Sequence, residues 1–252
     1  ASLVGSEMCI RDSFIYIFFF MKFTKALIKG KFLKRYKRFF ADIKVNKEII
    51  IAHCPNTGSM MGLLNENNDA WVLKNDNPKR KLKYTLQILK TSKNVIGVNT
   101  HLANKLVHEG LQNNTLFEFK NLDKIVTEKF YNKETRFDFL VEENKKKIFI
   151  EVKNVTLIRD GETSEFPDAI TTRGSKHIKT LIDAHKKGYE CYVLFLVQIE
   201  NCKYFRIAKD IDNEYYENYK LAKKFGVKFI AYNCKVGSKE IKIDKKVEIL
   251  DE

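Results

Sequence analysis

Apolar and polar positions fall into two regimes along the chain. Between residues 39 and 98 they alternate in short runs: Phe39-Ala41-Ile43-Val45, Glu48 to Ala52, Ala70 to Leu73, Tyr84 to Leu89 and Val95 to Val98. Alternation over a few residues marks a strand with one buried face. Turn formers separate the runs at Asn46-Lys47, Pro55-Asn56-Thr57-Gly58, Asn65 to Asp69 and Asn75 to Pro78. Five short strands within residues 21–100 predict a small β-barrel of the OB type, an architecture that often binds nucleic acid.

From residue 102 the period changes. Leu102, Leu106, Val107 and Leu111 recur at helical spacing, with Gly110 near the close. Strands are expected at Lys124 to Tyr131, Thr135 to Glu142 and Lys147 to Lys153. A second helix follows from Ser175 to Lys187, with Ile178, Leu181, Ile182 and His185 on one face and Gly188 as its stop. Cys191 to Ile199 is almost wholly apolar, the signature of a strand buried on both faces. Further on, Asn213 to Phe225 reads as helix, and Val227 to Val236 and Glu240 to Ile249 read as strands. The expected architecture is α/β (α+β overall), with residues 21–100 as a barrel and 101–252 as a second domain ordered helix, three strands, helix, strand.

Composition excludes a disordered or low-complexity chain: 252 residues, 44% hydrophobic and 31% charged. Charge sharpens the division. The formal net charge is +14, yet residues 21–100 hold 17 Lys and Arg against five acids, whereas residues 101–252 hold 28 against 25. Lys outnumbers Arg 38 to 8, which weakens arguments from Lys abundance alone, but a compositional bias would act on both parts equally. Within the basic part, Lys34-Arg35-Tyr36-Lys37-Arg38-Phe39 and Lys79-Arg80-Lys81-Leu82-Lys83-Tyr84 interleave cations with aromatic rings. Arg35, Tyr36, Lys37, Arg38, Lys79, Arg80 and Lys81 are therefore expected to contact a nucleic-acid backbone, most readily DNA.

Residues 1–20 are read as a non-native leader, because Met21-Lys22-Phe23 resembles a natural start and Ser2 to Ser13 resembles translated adapter sequence. The apolar run Phe14 to Met21 is much shorter than the ~20 residues that span a bilayer, and no signal-peptide cleavage pattern follows it. A cytoplasmic protein that does not engage membranes is expected. Five scattered Cys without a C-x-x-C pair suggest neither a disulfide framework nor a zinc site.

The middle strands permit a geometric test. If Thr135 to Glu142 and Lys147 to Lys153 form a hairpin centred between Asn144 and Lys145, Phe137 opposes Val152, Phe139 opposes Ile150 and Val141 opposes Ile148. All six apolar side chains then share one face. The same register sets Asp138 opposite Glu151 on the other face, with Lys153 beside them. Opposed carboxylates repel unless a cation lies between them. Two carboxylates with water and phosphate are the ligand set of Mg²⁺ (or Mn²⁺); a nearby Lys could help to deprotonate water or stabilise developing charge. Asp138, Glu151 and Lys153 are the candidate catalytic residues, and Asp138 and Glu151 the candidate metal ligands.

These residues, together with His53-Cys54-Pro55-Asn56-Thr57-Gly58-Ser59-Met60, Asn77-Pro78-Lys79-Arg80-Lys81, Gly97-Val98-Asn99-Thr100-His101, Arg136-Phe137-Asp138-Phe139, Glu151-Val152-Lys153-Asn154, Phe166-Pro167-Asp168-Ala169 and Thr172-Arg173-Gly174, resemble the sugar fermentation stimulation protein family. The resemblance runs from about Met21 to the last strand. It implies an OB-like domain followed by a restriction-endonuclease-like αβββαβ domain similar to PD-(D/E)xK nucleases, with Asp138, Glu151 and Lys153 matching the nuclease signature; the Pro loosely kept before the Asp is missing. It also implies DNA binding and a role in sugar, particularly maltose, utilisation. Fold similarity does not establish hydrolysis. Two readings stand: a metal-dependent nuclease, and a non-catalytic DNA-binding regulator.

Three further features of the sequence carry candidate chemistry. Arg173, Lys176 and His177 cluster at the start of the second helix, where a phosphate could bind. Glu109, late in the first helix, is a solvated acid or a third site carboxylate. Thr57, Gly58 and Ser59 form a turn suited to an anion.

Overall fold

The computed structural model describes residues 21–251; the expected leader lies outside the described residues. Strands β1 (Ile28–Tyr36), β2 (Phe40–Val45), β3 (Glu48–His53), β4 (Asp69–Lys74) and β5 (Tyr84–Lys90) form a sheet in the order β3-β2-β1-β4-β5. Parallel pairing of Ala52 with Tyr84 and His53 with Thr85 closes it into the expected OB-like barrel. Phe32, Ile43, Val72 and Leu86 fill the interior with no exposure. Strand β1 is absent from the sequence reading. A register shift between Phe32 and Lys34 breaks its alternation, and its exposed Lys29, Lys31 and Lys34 look like loop. Gly30 lets β1 and β2 approach, since a Cβ there would lie 2.6 Å from the Lys44 carbonyl oxygen. Strand β6 (Val95–Gly97) pairs with β5 and leads, through the turn Thr100–Leu102, into helix α1 (Ala103–Gln112).

The second sheet is built from β7 (Lys124–Phe130), β8 (Arg136–Glu143), β9 (Lys146–Val155), β10 (Leu157–Ile158), β11 (Thr163–Phe166), helix α2 (Thr172–Lys186), β12 (Glu190–Val197), β13 (Tyr204–Ile207), helix α3 (Asn213–Lys224), β14 (Lys228–Val236) and β15 (Ile241–Ile249). Its order is β10-β11-β13-β15-β14-β12-β9-β8-β7. Strand β12 runs parallel to both β9 and β14, and its side chains alternate between two core layers. Val193, Phe195 and Val197 join Ile178 and Leu181 of α2 and Tyr215 of α3. Tyr192, Leu194 and Leu196 join Leu106, Val107 and Leu111 of α1. The sheet is thus covered on both faces, as its near-continuous apolar strand requires.

Helices α2 and α3 begin at linked caps. Thr171 caps α2 by accepting from Gly174 N at 3.1 Å, and Asp212 caps α3 by accepting from Tyr215 N at 2.9 Å. Asp212 also accepts from Thr171 N at 2.8 Å, which ties the two helix starts together. The barrel is fastened to the second sheet through β6, where Gly97 N donates to Gln198 O at 2.8 Å and Glu200 N to Val95 O at 2.9 Å. Cys54, Cys191, Cys202 and Cys234 are buried free thiols. Among the described residues no helix is long and apolar enough to cross a membrane.

Candidate metal centre and nucleic-acid face

Strands β8 and β9 pair with Phe139 opposite Ile150 and Val141 opposite Ile148, the register the hydrophobic pattern predicts. One residue further, the ladder gives way. Asp138 Oδ2 accepts the Val152 N–H at 2.8 Å, so a side chain takes the bond a main-chain carbonyl would have taken. On the other side of β8, pairing with β7 skips Glu128, which adopts a left-handed φ of 52°. The expectation that six apolar side chains share one face is corrected here. Phe139, Val141, Ile148, Ile150 and Val152 do so, but Phe137 turns to the opposite layer, 5.0 Å from the Phe149 ring centroid and edge-on to His177. The irregular backbone at Asp138 resets the alternation.

The irregularity brings Asp138 and Glu151 toward one centre. Asn104, on the first turn of α1, donates to Asp138 Oδ1 at 2.7 Å. Glu151, 4% exposed, receives Lys153 Nζ on Oε1 at 2.7 Å. The same oxygen accepts a hydrogen bond from Nδ1 of His177 on α2. Arg173 Nε lies 3.4 Å from His177 Nε2, which makes Nε2 the acceptor and leaves the proton on Nδ1. The other carboxylate oxygen, Glu151 Oε2, is buried without a hydrogen-bond partner. A buried anionic oxygen left unpaired is costly.

Electrostatics separate the two acids. Burial, and then the charge of Glu151, hold the Asp138 carboxyl above its ordinary range against the pull of Val152, Asn104 and Lys153. Burial would raise Glu151 as well, but Lys153 and His177 outweigh it and keep Glu151 below its ordinary range. Among the described residues no three His, Cys, Asp or Glu side chains gather into a ready-made metal cage. Two carboxylates, one with an orphaned oxygen, fit an ion that keeps several waters, as Mg²⁺ does.

Asn104 is the member of this site that the sequence reading lacks, and His177 is reassigned from it. His177 is 8% exposed and faces Glu151 rather than an incoming phosphate. Lys176, on the outside of α2, pairs with Glu134 at 2.8 Å. Glu109 lies apart from Asp138, beside the Met21 backbone and Glu240, where burial pushes its carboxyl up to about 7.

The basic clusters divide by role. The Arg35 guanidinium is fully committed to carbonyls, donating to Arg38 at 2.7 Å, Gly58 at 2.9 Å and Asn56 at 2.7 Å, and so latches the 56–59 loop. That loop docks on the chain's own Asp168. A Cβ on Gly58 would fall 2.0 Å from Asp168 Oδ2, so the contact demands glycine. Tyr36 stacks on Phe40 at 5.5 Å and donates to Asp42 at 3.1 Å. Lys37 and Arg38 project from the β1–β2 turn at left-handed φ of 45° and 61°. Lys79, Arg80 and Lys81 stand on the β4–β5 loop. Arg80 bonds Thr85 Oγ1 at 3.3 Å, and none of these five cations has a carboxylate partner among the described residues.

Comparison with known proteins agrees with this two-part architecture. Residues 33–98 match the family model described as the SfsA N-terminal OB domain, and residues 101–240 match the sugar fermentation stimulation protein RE domain. The chain is 69% identical over 231 residues to a sugar fermentation stimulation protein homolog of Pelagibacter ubique, covering 92% of this chain and 100% of the relative. It is 37% identical over 230 residues to a homolog of Syntrophotalea carbinolica, covering 91% and 99%. The structure of Pyrococcus furiosus SfsA in complex with Ca²⁺ superposes with a TM-score of 0.82 at 26% identity, covering 92% of this chain and 99% of that one. With both halves matched in order and along nearly the full length of its relatives, the chain belongs to the sugar fermentation stimulation protein family.

Proposed function

We propose that this protein binds DNA across its barrel and hydrolyses phosphodiester bonds at Asp138, Glu151 and Lys153 with Mg²⁺ or Mn²⁺. The observation that carries this reading is the buried Glu151 Oε2 with no hydrogen-bond partner, in a site whose second carboxylate, Asp138, feels the charge of Glu151. The similarity to a protein whose structure was obtained with Ca²⁺, another cation that prefers oxygen ligands, supports a divalent site. When bound, such an ion supplies Lewis-acid polarisation of a phosphate oxygen and favours ionisation of water.

The chain's own residues do the rest. Asn104 and the Val152 amide hold the Asp138 carboxylate in one orientation, and His177 does the same for Glu151. Lys153, held on Glu151 Oε1, would supply a cation beside the bound ion to offset negative charge developing on a phosphate oxygen, a stabilisation that is strong where water is excluded. Exposed Lys37, Arg38, Lys79 and Lys81 hold the backbone by charge.

The test is incubation of the full chain with labelled single- and double-stranded DNA under Mg²⁺, Mn²⁺ or chelator, beside Glu151→Ala. Metal-dependent cutting that is lost in the variant is expected. Binding without cutting under every metal condition, or equal cutting by Glu151→Ala, overturns the catalytic part and leaves the non-catalytic regulator.

A further inference from the structure

The segment that leads into α1 borders a cleft distinct from the carboxylate centre. It is a pocket of about 510 Å³, walled by the Met21–Thr24 segment, the barrel and the start of α1. Five basic side chains line it: Lys22, His53, Arg80, His101 and Lys105. No Asp or Glu does. Among the described residues neither Lys22, Arg80 nor Lys105 has an ion-pair partner. Burial, and then the charges of Arg80 and His101, hold the His53 imidazole below its ordinary range, as expected where positive potential is not neutralised.

Gathering like charges in a concavity from four separate stretches of sequence costs free energy that a bound anion returns. The charge present is informative. A backbone diester phosphate carries one negative charge, whereas a phosphomonoester carries about 1.5 to 2 near neutral pH. Three permanent cations and two imidazole donors suit the monoester better. An Arg fork and a Lys ammonium are the two usual phosphate donors, and the space exceeds a phosphate group and falls in the range of small-ligand pockets.

Position supplies the next step. Lys105 follows Asn104, the residue bonded to Asp138 Oδ1 at 2.7 Å, and His101 lies one helical turn earlier. The start of α1 therefore borders both the pocket, through Lys105, and the carboxylate pair, through Asn104. We infer that this pocket binds a phosphomonoester, the terminal phosphate of a nucleic-acid strand whose next bonds lie at the carboxylate pair. The pocket stands on its own geometry; its assignment to a strand end rests on the nuclease reading.

The experiment measures binding by the full chain, in chelator, of short single strands ending in 5′-phosphate, in 3′-phosphate or in hydroxyl at both ends. Inorganic phosphate and a nucleoside monophosphate serve as competitors at constant ionic strength. One phosphorylated end is expected to bind about tenfold tighter than hydroxyl ends. Inorganic phosphate should erase that preference, as should the double variant Arg80→Gln/Lys105→Gln, with its Tm unchanged. Equal affinity for all three strands, with a nucleoside monophosphate still bound and lost in the double variant, overturns the strand-end assignment and keeps a small-molecule phosphate pocket. Equal affinity and no binding of either competitor overturns the pocket. A persistent end preference in a protein that never cuts under Mg²⁺ or Mn²⁺ removes the nuclease reading and leaves the pocket in place.

Discussion

Four exposed lysines of the second domain are paired at home, and five cations on two loops of the barrel are not. Lys176 meets Glu134, Lys179 meets Glu214, Lys203 meets Glu162 and Lys228 meets Glu190, all within 3.1 Å. On the barrel, Asp69 takes Lys29 and Lys31, and Asp42 takes Lys34. On the β1–β2 turn and the β4–β5 loop, by contrast, Lys37, Arg38, Lys79, Arg80 and Lys81 have no acidic partner among the described residues. Exposed pairs add little stability, about 0 to 1 kcal/mol each. In these two sets pairing therefore marks charge that is balanced locally, and the two unpaired barrel loops are where an outside anion is expected.

The strongest attempt to break this contrast uses two quadruple variants of equal net charge. Lys37→Gln/Arg38→Gln/Lys79→Gln/Lys81→Gln removes unpaired cations, and Lys176→Gln/Lys179→Gln/Lys203→Gln/Lys228→Gln removes paired ones. For DNA binding followed by fluorescence anisotropy across a salt series, the first should flatten the slope of log K against log salt by about three units, and lower affinity by about a hundredfold or more at low salt. The second should leave the slope nearly intact. Equal losses would mean that only total charge matters and that the pairing map has no functional content.

How much of this was legible in sequence depends on the kind of interaction. The β8–β9 register followed from alternation, because a one-residue slip would have exposed Phe139, Val141, Ile148 and Ile150 together. Asp138, Glu151 and Lys153 came with it. The break at Asp138 left no trace in the pattern, since a side chain replacing a main-chain acceptor has no period. Strand β1 was hidden by its bulge, and β10, β11 and β13, of two to four residues, are too short to show one. Asn104 and His177 reach their partners across 34 and 26 residues, a distance that spacing rules do not bridge. Arg35 and Arg38 look alike in sequence, yet only Arg35 has carbonyls positioned to saturate its guanidinium.

A more local variant sharpens the contrast from the other side. The barrel's candidate function lies in exposed charge, and that of the second domain in a buried and a half-buried carboxylate that depend on their supports. Asn104→Ala leaves Asp138 Oδ1 without its donor. Mn²⁺ affinity measured by calorimetry is expected to fall about tenfold, as for other supports of metal ligands. DNA affinity in chelator should not change. If it falls as much as Mn²⁺ affinity does, the two regions are one binding surface and the division fails.

The smallest expected effect lies at the seam between the regions, where the Met21 backbone meets α1 and the edge of β15. Glu109 sits there with its carboxyl pushed up to about 7, first by burial and then by Glu240. Its raised value fixes the sign. Below the ordinary carboxyl range the acid is protonated both folded and unfolded, and contributes nothing to pH dependence. Between that range and about 7 the unfolded chain releases the proton more readily than the folded one, so stability falls as pH rises, and levels off above 7. Glu109→Gln should remove this slope. Its Tm should exceed that of the parent at pH 8 and the two should converge near pH 4. Because the group is half exposed, solvent screening holds the difference under about 1 kcal/mol, or about 4 °C. A variant less stable than the parent at pH 8 would mean that the Met21 contact, rather than burial, dominates at Glu109, and that the N-terminal segment is fastened to the second domain by this charge.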